Sequence, residues 1–135
     1  MDADPDEVDL AESIGAAENA AIQCLTFYIP SKDRNGVEFD PLPWVEEALA
    51  LLSDIGGGAT ALPPVDGAWV DPDTNSLIRE KIVLAYTYVD AEKFARYLDR
   101  MREFLHRLGR ETNQGEVVVE FDNRLYKIRE YDSGI

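Results

Sequence analysis

The stretch "GRETNQGEVVVE", residues 109 to 120, gathers polar side chains where a helical pattern gives way to an extended one. Glu111, Gln114 and Glu116 lie on it, Glu80 sits in an apolar run upstream, and Trp69 stands just before a turn. Carboxylates brought together can move protons as general acid and base, or hold a hard divalent cation such as magnesium or manganese. A tryptophan beside a carboxylate sets a flat apolar wall next to a charge, a pairing suited to a small ligand. Trp69, Glu80, Glu111, Gln114 and Glu116 are therefore the candidate ligand-binding residues, with Glu80, Glu111 and Glu116 as a candidate acidic pocket. The plainer alternative is that a helix-to-strand loop is polar in any case, and that Glu80 pairs with Arg79 or with an arginine of a helix.

Other chemistries fail on residue counts. There is one histidine and one cysteine, so a zinc site of nitrogen and sulfur ligands cannot be built, and no histidine-based triad is read around His106. Cys24 cannot form an internal disulfide, and in "IQCLTFYI" it reads as a small buried hydrophobe. His106, between Leu105 and Arg107, reads as a solvated residue near a helix end. No cofactor and no metal is assigned. A second constellation is basic: Lys93, Arg96, Arg100 and Arg107 recur along one helix, with Arg102 and Arg110 beside them. Interleaved Glu92, Asp99 and Glu103 predict a self-neutralised face.

Three consecutive glycines, Gly56 to Gly58, raise the question of a phosphate cradle. Such loops run from a strand into a helix N-terminus, whereas here a helical pattern comes first. The negative end of a helix dipole repels phosphate. Gly56 is expected to end the helix in a left-handed conformation, and the run to be a bend.

The elements that must position these residues follow from periodicity. The chain has 135 residues and 45% hydrophobic content, enough for one core. Its net charge of −14 disfavours binding to nucleic acid or anionic membranes. Half of that excess lies on Asp2, Asp4, Asp6, Glu7, Asp9, Glu12 and Glu18, with no basic residue among them. Residues 1–20 thus read as an acidic tail, with a short helix over 8–20, and residues 21–135 as a single α+β domain. No apolar run is long enough to span a bilayer and no leader is read, which implies a cytoplasmic protein.

A strand is predicted over 21–29, and a helix over 42–55 with Pro43 in its first turn. Short strands follow in "ATAL" and "GAWV". The central strand is "LIREKIVLAYTYVD", with Ile82, Leu84, Tyr86 and Tyr88 on one face and Val83, Ala85, Thr87 and Val89 on the other. Asp90 caps one long helix over 91–108, which Gly109 ends, and a hairpin turns at Asp122-Asn123. The order is a ferredoxin-like β-α-β-β-α-β sandwich with an extra C-terminal hairpin strand. Its open sheet face is apolar enough to predict a homodimer through the sheet.

The runs "GATALPPVDGAW", "IREKIVLAYTYV" and "RETNQGEVVVEFD" resemble a family of small bacterial proteins of unknown function. In that family a Gly-x-Thr-x-Leu strand leads to Gly-x-Trp, then to a Glu-containing strand, a helix and a Gln-x-x-Val segment. The matching positions are Gly58, Thr60, Leu62, Gly67, Trp69, Glu80, Gln114 and Val117, over about residues 22–122, with Pro63-Pro64 as a departure. The resemblance implies the ferredoxin-like sandwich and no particular reaction. The functional expectation is a small interaction or ligand-binding module, dimeric and open to a protein partner. A carboxylate-dependent enzyme, with or without a divalent metal, is the alternative, and an acidic nucleic-acid mimic the weaker one.

Overall fold

The computed structural model describes residues 8–17 and 23–134. The element order is α1 (Leu10–Ile14), β1 (Cys24–Ile29), α2 (Leu42–Gly56), β2 (Thr60–Ala61), β3 (Val65–Val70), β4 (Leu77–Tyr88), α3 (Ala91–Arg96), α4 (Leu98–Glu111), β5 (Val117–Phe121) and β6 (Arg124–Ile128). The expected first strand is found from Cys24; residues 21 and 22 lie outside the described residues, as do residues 1–7 and 18–20 of the acidic tail, and the helix expected over 8–20 is found as the shorter Leu10–Ile14. No helix among the described residues is long and apolar enough to cross a membrane.

All six strands form one antiparallel sheet, in the order β2-β4-β1-β5-β6, with β3 also paired to β4. The chain is thus a mixed α+β protein. Alternation along β4 divides its two faces as the sequence implies. Val83, Ala85, Thr87 and Val89 are buried, whereas Ile82, Leu84 and Tyr86 are only half-buried on the opposite face. Helix α2 supplies Val45, Ala48, Leu51, Leu52 and Ile55 to the core, and α4 supplies Phe104, Leu105 and Leu108. The Phe104 ring stacks on Phe27 with centroids 5.8 Å apart and meets Trp44 at 6.1 Å. The β5–β6 hairpin turns on Asp122 and Asn123, both at positive φ, as an Asp-Asn pair tolerates.

The glycine run is a bend, but its residues divide the work differently from expectation. Gly57, at φ 88°, is the left-handed cap, and its N–H donates to Ser53 O. Gly56 is still helical. It is glycine because a Cβ there would collide with Thr87 Oγ1 and Tyr88 O, where α2 presses on β4. Gly58 offers its carbonyl to the buried Thr87 hydroxyl.

The segment read as one long helix is two. Asp90 caps α3 by accepting from Glu92 N and Lys93 N, each at 3.1 Å, and the axis breaks at Tyr97 (φ −102°, ψ 9°). The break lets Phe94 stack on Phe121 at 5.0 Å while Phe104 stays against Phe27. Gly109 does not end the helix but lies inside α4, because the Tyr131 ring fills the space a Cβ would need. The chain after β6 folds back over α4. Arg102 Nε and Nη2 donate to the Asp132 carboxylate at 2.8 and 3.0 Å, and the Asp132 N–H donates to His106 Nδ1 at 2.8 Å. His106 is consequently buried rather than solvated. Cys24 corrects the reading in the other direction: it is half-buried on the open face, not in the core.

The basic stripe is paired mostly with acids from other segments rather than with its interleaved ones, of which Glu103 alone takes part. Arg100 pairs with Asp54, Arg102 with Asp132, and Arg107 with Glu47 and Glu103 while lying over the Trp44 ring.

Candidate functional site

The side of the sheet away from the helices holds the candidate site. Directly opposed residues of antiparallel strands share a face, so register fixes what stands beside what. Ile78, Glu80 and Ile82 of β4 face this side. Tyr28 of β1 comes next, then Val118 of β5, with Lys127 of β6 opposite it. The β3–β4 hairpin brings Trp69 opposite Ile78 and Gly67 opposite Glu80. Ile82 occupies the room a Cβ on Gly67 would need, so the hairpin lies flat beside the carboxylate. Together these elements enclose a cleft of about 810 Å³ lined by Tyr28, Lys32, Trp69, Glu80, Gln114 and Glu116 among others. That volume is in the range of small-molecule sites.

Glu80 is the electrostatic centre. It is half-buried, and burial pushes its carboxyl above the ordinary glutamate value. The backbone N–H groups of Ser31 and Lys32, and the Lys32 charge, pull in the opposite direction without cancelling the effect. Lys32 N–H donates to Glu80 Oε2 at 3.3 Å, while Lys32 Nζ donates to Arg79 O at 3.3 Å. Glu80 therefore pairs with neither Arg79 nor a helix arginine. Across the cleft Tyr28 OH donates to Glu120 Oε2 at 3.4 Å, and burial together with that carboxylate raises the phenol's pKa. Trp69 keeps 45% of its surface exposed, so its ring is free to take a ligand.

Four of the five sequence candidates meet here: Trp69, Glu80, Gln114 and Glu116 line the same cleft. Glu116 is held by Arg129 at 3.2 Å and by Lys127 at 3.9 Å. Gln114 is buried, and its Nε2 donates to Lys32 O at 2.9 Å and to Thr112 O and Oγ1 at 3.2 and 3.1 Å. Glu111 is not with them. It sits at the end of α4, 4.0 Å from Arg107 Nη1, and lines a separate pocket of about 300 Å³ with Trp44 and Asp40. The acidic pocket of three glutamates thus reduces to Glu80 and Glu116. No group of three or more His, Cys, Asp or Glu among the described residues is placed to hold a metal ion.

Sequence reading missed Tyr28, Lys32, Lys127 and Arg129 as cleft residues. The strand parity that placed Tyr86 on the open face carries over to Tyr28 and Lys127 once the register is known. Sequence alone does not give the register.

What can this arrangement do? It offers an aromatic wall, a carboxylate with a raised pKa, and cations on the far side. A ligand with a flat apolar group, a positive centre and an acid group would find a complement for each part.

No protein-family model and no curated protein matches the chain. Two solved structures do. One is a phage SAM lyase in complex with S-methyl-5′-thioadenosine, at TM-score 0.59 and 14% identity, covering 84% of this chain and 92% of that one. The other is a phage SAM lyase in the apo state, at TM-score 0.57 and 15% identity, covering 83% and 92%. At such identity the likeness is one of fold.

Proposed function

We propose that the cleft beside Glu80 binds S-adenosylmethionine and splits it, releasing S-methyl-5′-thioadenosine. The observation that carries this reading is the placement of Glu80, a half-buried carboxylate with a raised pKa in a cleft walled by Trp69 and Tyr28. S-adenosylmethionine has the three parts the cleft complements: a purine, two positive centres and a carboxylate. Trp69 offers a face to the purine, Glu80 holds the ammonium end of the amino acid, and the substrate carboxylate competes with Glu116 for Lys127 and Arg129, which line the same cleft. The fold shared with a lyase acting on SAM supports the same substrate. The chain's net charge of −14 favours encounter with a cation.

Cleavage needs no water. The substrate's own carboxylate oxygen bonds to the γ-carbon as the bond from that carbon to sulfur breaks. The electron pair of the broken bond stays on sulfur, the sulfonium becomes a neutral thioether, and the four-carbon fragment leaves as its cyclic ester, with no proton gained or lost. Positive charge disappears in that step, so aromatic walls that exclude water favour it. The strand order and all-antiparallel pairing also support the ferredoxin-like reading. Half-buried Tyr86 and exposed Tyr88, their rings edge to face at 6.3 Å, form an aromatic pair at the end of the open face away from Glu80, and this supports the homodimer, which native mass spectrometry reads directly.

The test is to incubate the full chain with S-adenosylmethionine and follow S-methyl-5′-thioadenosine by chromatography. Release well above the spontaneous rate is expected. Saturable binding with no release would leave a ligand-binding module in place of the enzyme, and no binding would sink both.

A further inference from the structure

We propose that Gln114 is a positioning residue. Its buried amide fixes the segment after β1 so that the Lys32 N–H points at the Glu80 carboxylate. The inference rests on the reading of Glu80 as the group that holds the ligand's cationic end. It assigns Gln114 a part different from ligand contact.

The connection is short. Lys32 is held at both of its backbone polar groups: its carbonyl accepts from Gln114 Nε2 at 2.9 Å, and its N–H donates to Glu80 Oε2 at 3.3 Å. Gln114 is itself held by Thr112 through Nε2, and its own carbonyl accepts from Arg34 Nη2 at 2.7 Å and from Tyr131 OH at 3.0 Å. A further bond, Arg34 N–H to Asn113 O at 2.9 Å, ties the same two segments. The loop after α4 and the loop after β1 are thus joined beside the carboxylate, and Gln114 is the side chain at the joint. A buried amide that lost its donor group would leave the Lys32 carbonyl unpaired and the loop free to shift.

Freeing Lys32 has one distinctive consequence. An N–H that donates to a carboxylate favours its charged form, so weakening that bond drives Glu80 toward its neutral form. The other charged groups lining the cleft are Lys32, Asp33 and Arg34 from the segment after β1, Asp71 after β3, Glu116 before β5, Lys127 of β6 and Arg129 just after it. Substituting Gln114 adds or removes no charge among them. The Tyr28 phenol titrates far above the relevant range.

The experiment follows the side-chain carboxyl carbon of Glu80 by NMR against pH, in the ligand-free full chain labelled at glutamate. Gln114→Met keeps the length and apolar volume of the side chain while removing the donor. The Glu80 midpoint is expected to rise by about half a pH unit or more, in keeping with one lost hydrogen bond to a charged group. Where the variant is active, its pH profile for S-adenosylmethionine moves the same way. An unchanged midpoint in the folded variant overturns the proposal. Thr112→Val loosens the same joint from the other side and is expected to give a smaller rise. If Gln114→Met does not fold, Thr112→Val decides alone, a rise supporting the proposal and no rise overturning it. Because the titration needs no ligand, a chain that fails to act on S-adenosylmethionine leaves this result standing, and the reverse also holds.

Discussion

Glu80→Gln is expected to weaken S-adenosylmethionine binding about 10- to 100-fold at pH 7.5, with release of S-methyl-5′-thioadenosine falling at least as far. The magnitude follows from losing a charge-assisted contact, roughly 1.5–3 kcal/mol. The melting temperature at the same pH should stay level or rise. Burial holds the Glu80 pKa above its unfolded value, so the ionised form is what folding penalises. That penalty is present in full above the folded pKa and fades as pH falls through it. A neutral glutamine never incurs it. Function lost while stability is kept marks a group retained for its site rather than for the fold. In the wild-type chain, cation binding should weaken as the pH drops through the raised Glu80 pKa, because only the carboxylate attracts the ammonium. Isothermal titration at two pH values, beside thermal melts of both proteins, reads all of this. A variant that binds as tightly as the parent removes Glu80 from the site.

Phe104→Ala is expected to cost about 3–5 kcal/mol of stability. Phe104 is 1% exposed, stacks on Phe27 across the helix–sheet interface and meets the Trp44 ring. Truncation removes both contacts and leaves a cavity under α4 that neighbours can only partly fill. For a domain of this size the melting temperature should fall by roughly 10–20 °C. Urea unfolding with the slope unchanged and the midpoint lowered would check it. A loss below about 1 kcal/mol would mean that α4 is held mainly by its ion pairs and by the returning C-terminal segment.

The helix that carries Phe104 also shows where the sequence was hard to read. The stripe of Phe94, Tyr97, Leu98, Met101, Leu105 and Leu108 fits one continuous helix, and Phe104, three residues after Met101 and four before Leu108, lies on the same face. The helix nonetheless breaks at Tyr97, and Leu98 is left 45% exposed while Phe104 is buried. No proline or glycine marks the break. Its cause is tertiary: two aromatic contacts, on Phe121 and on Phe27, at different angles. Gly109 carried the usual sign of a helix end, yet the cause of that glycine is the Tyr131 ring packed on it, some twenty residues later in the chain. His106 is buried by the same returning segment. By contrast, β4 was legible residue by residue, because strand alternation is local and both of its faces are distinct. So was the hairpin at Asp122-Asn123. At the site, Trp69, Glu80, Gln114 and Glu116 were nameable from residue type, and their meeting in one cleft depends on register. Glu111 lies close to Gln114 in sequence, but the turn at Thr112 and Asn113 sends it to the other side of the sheet's end.

The most direct measurement is a crystal structure of the full chain with S-methyl-5′-thioadenosine bound. The purine should lie on the Trp69 ring, with the thioether inside the cleft and Glu80 beyond it, free for the cationic end that this product lacks. Ligand density in the pocket beside Trp44 and Glu111, or on the helical side of the sheet, would contradict the assignment of the open face as the site.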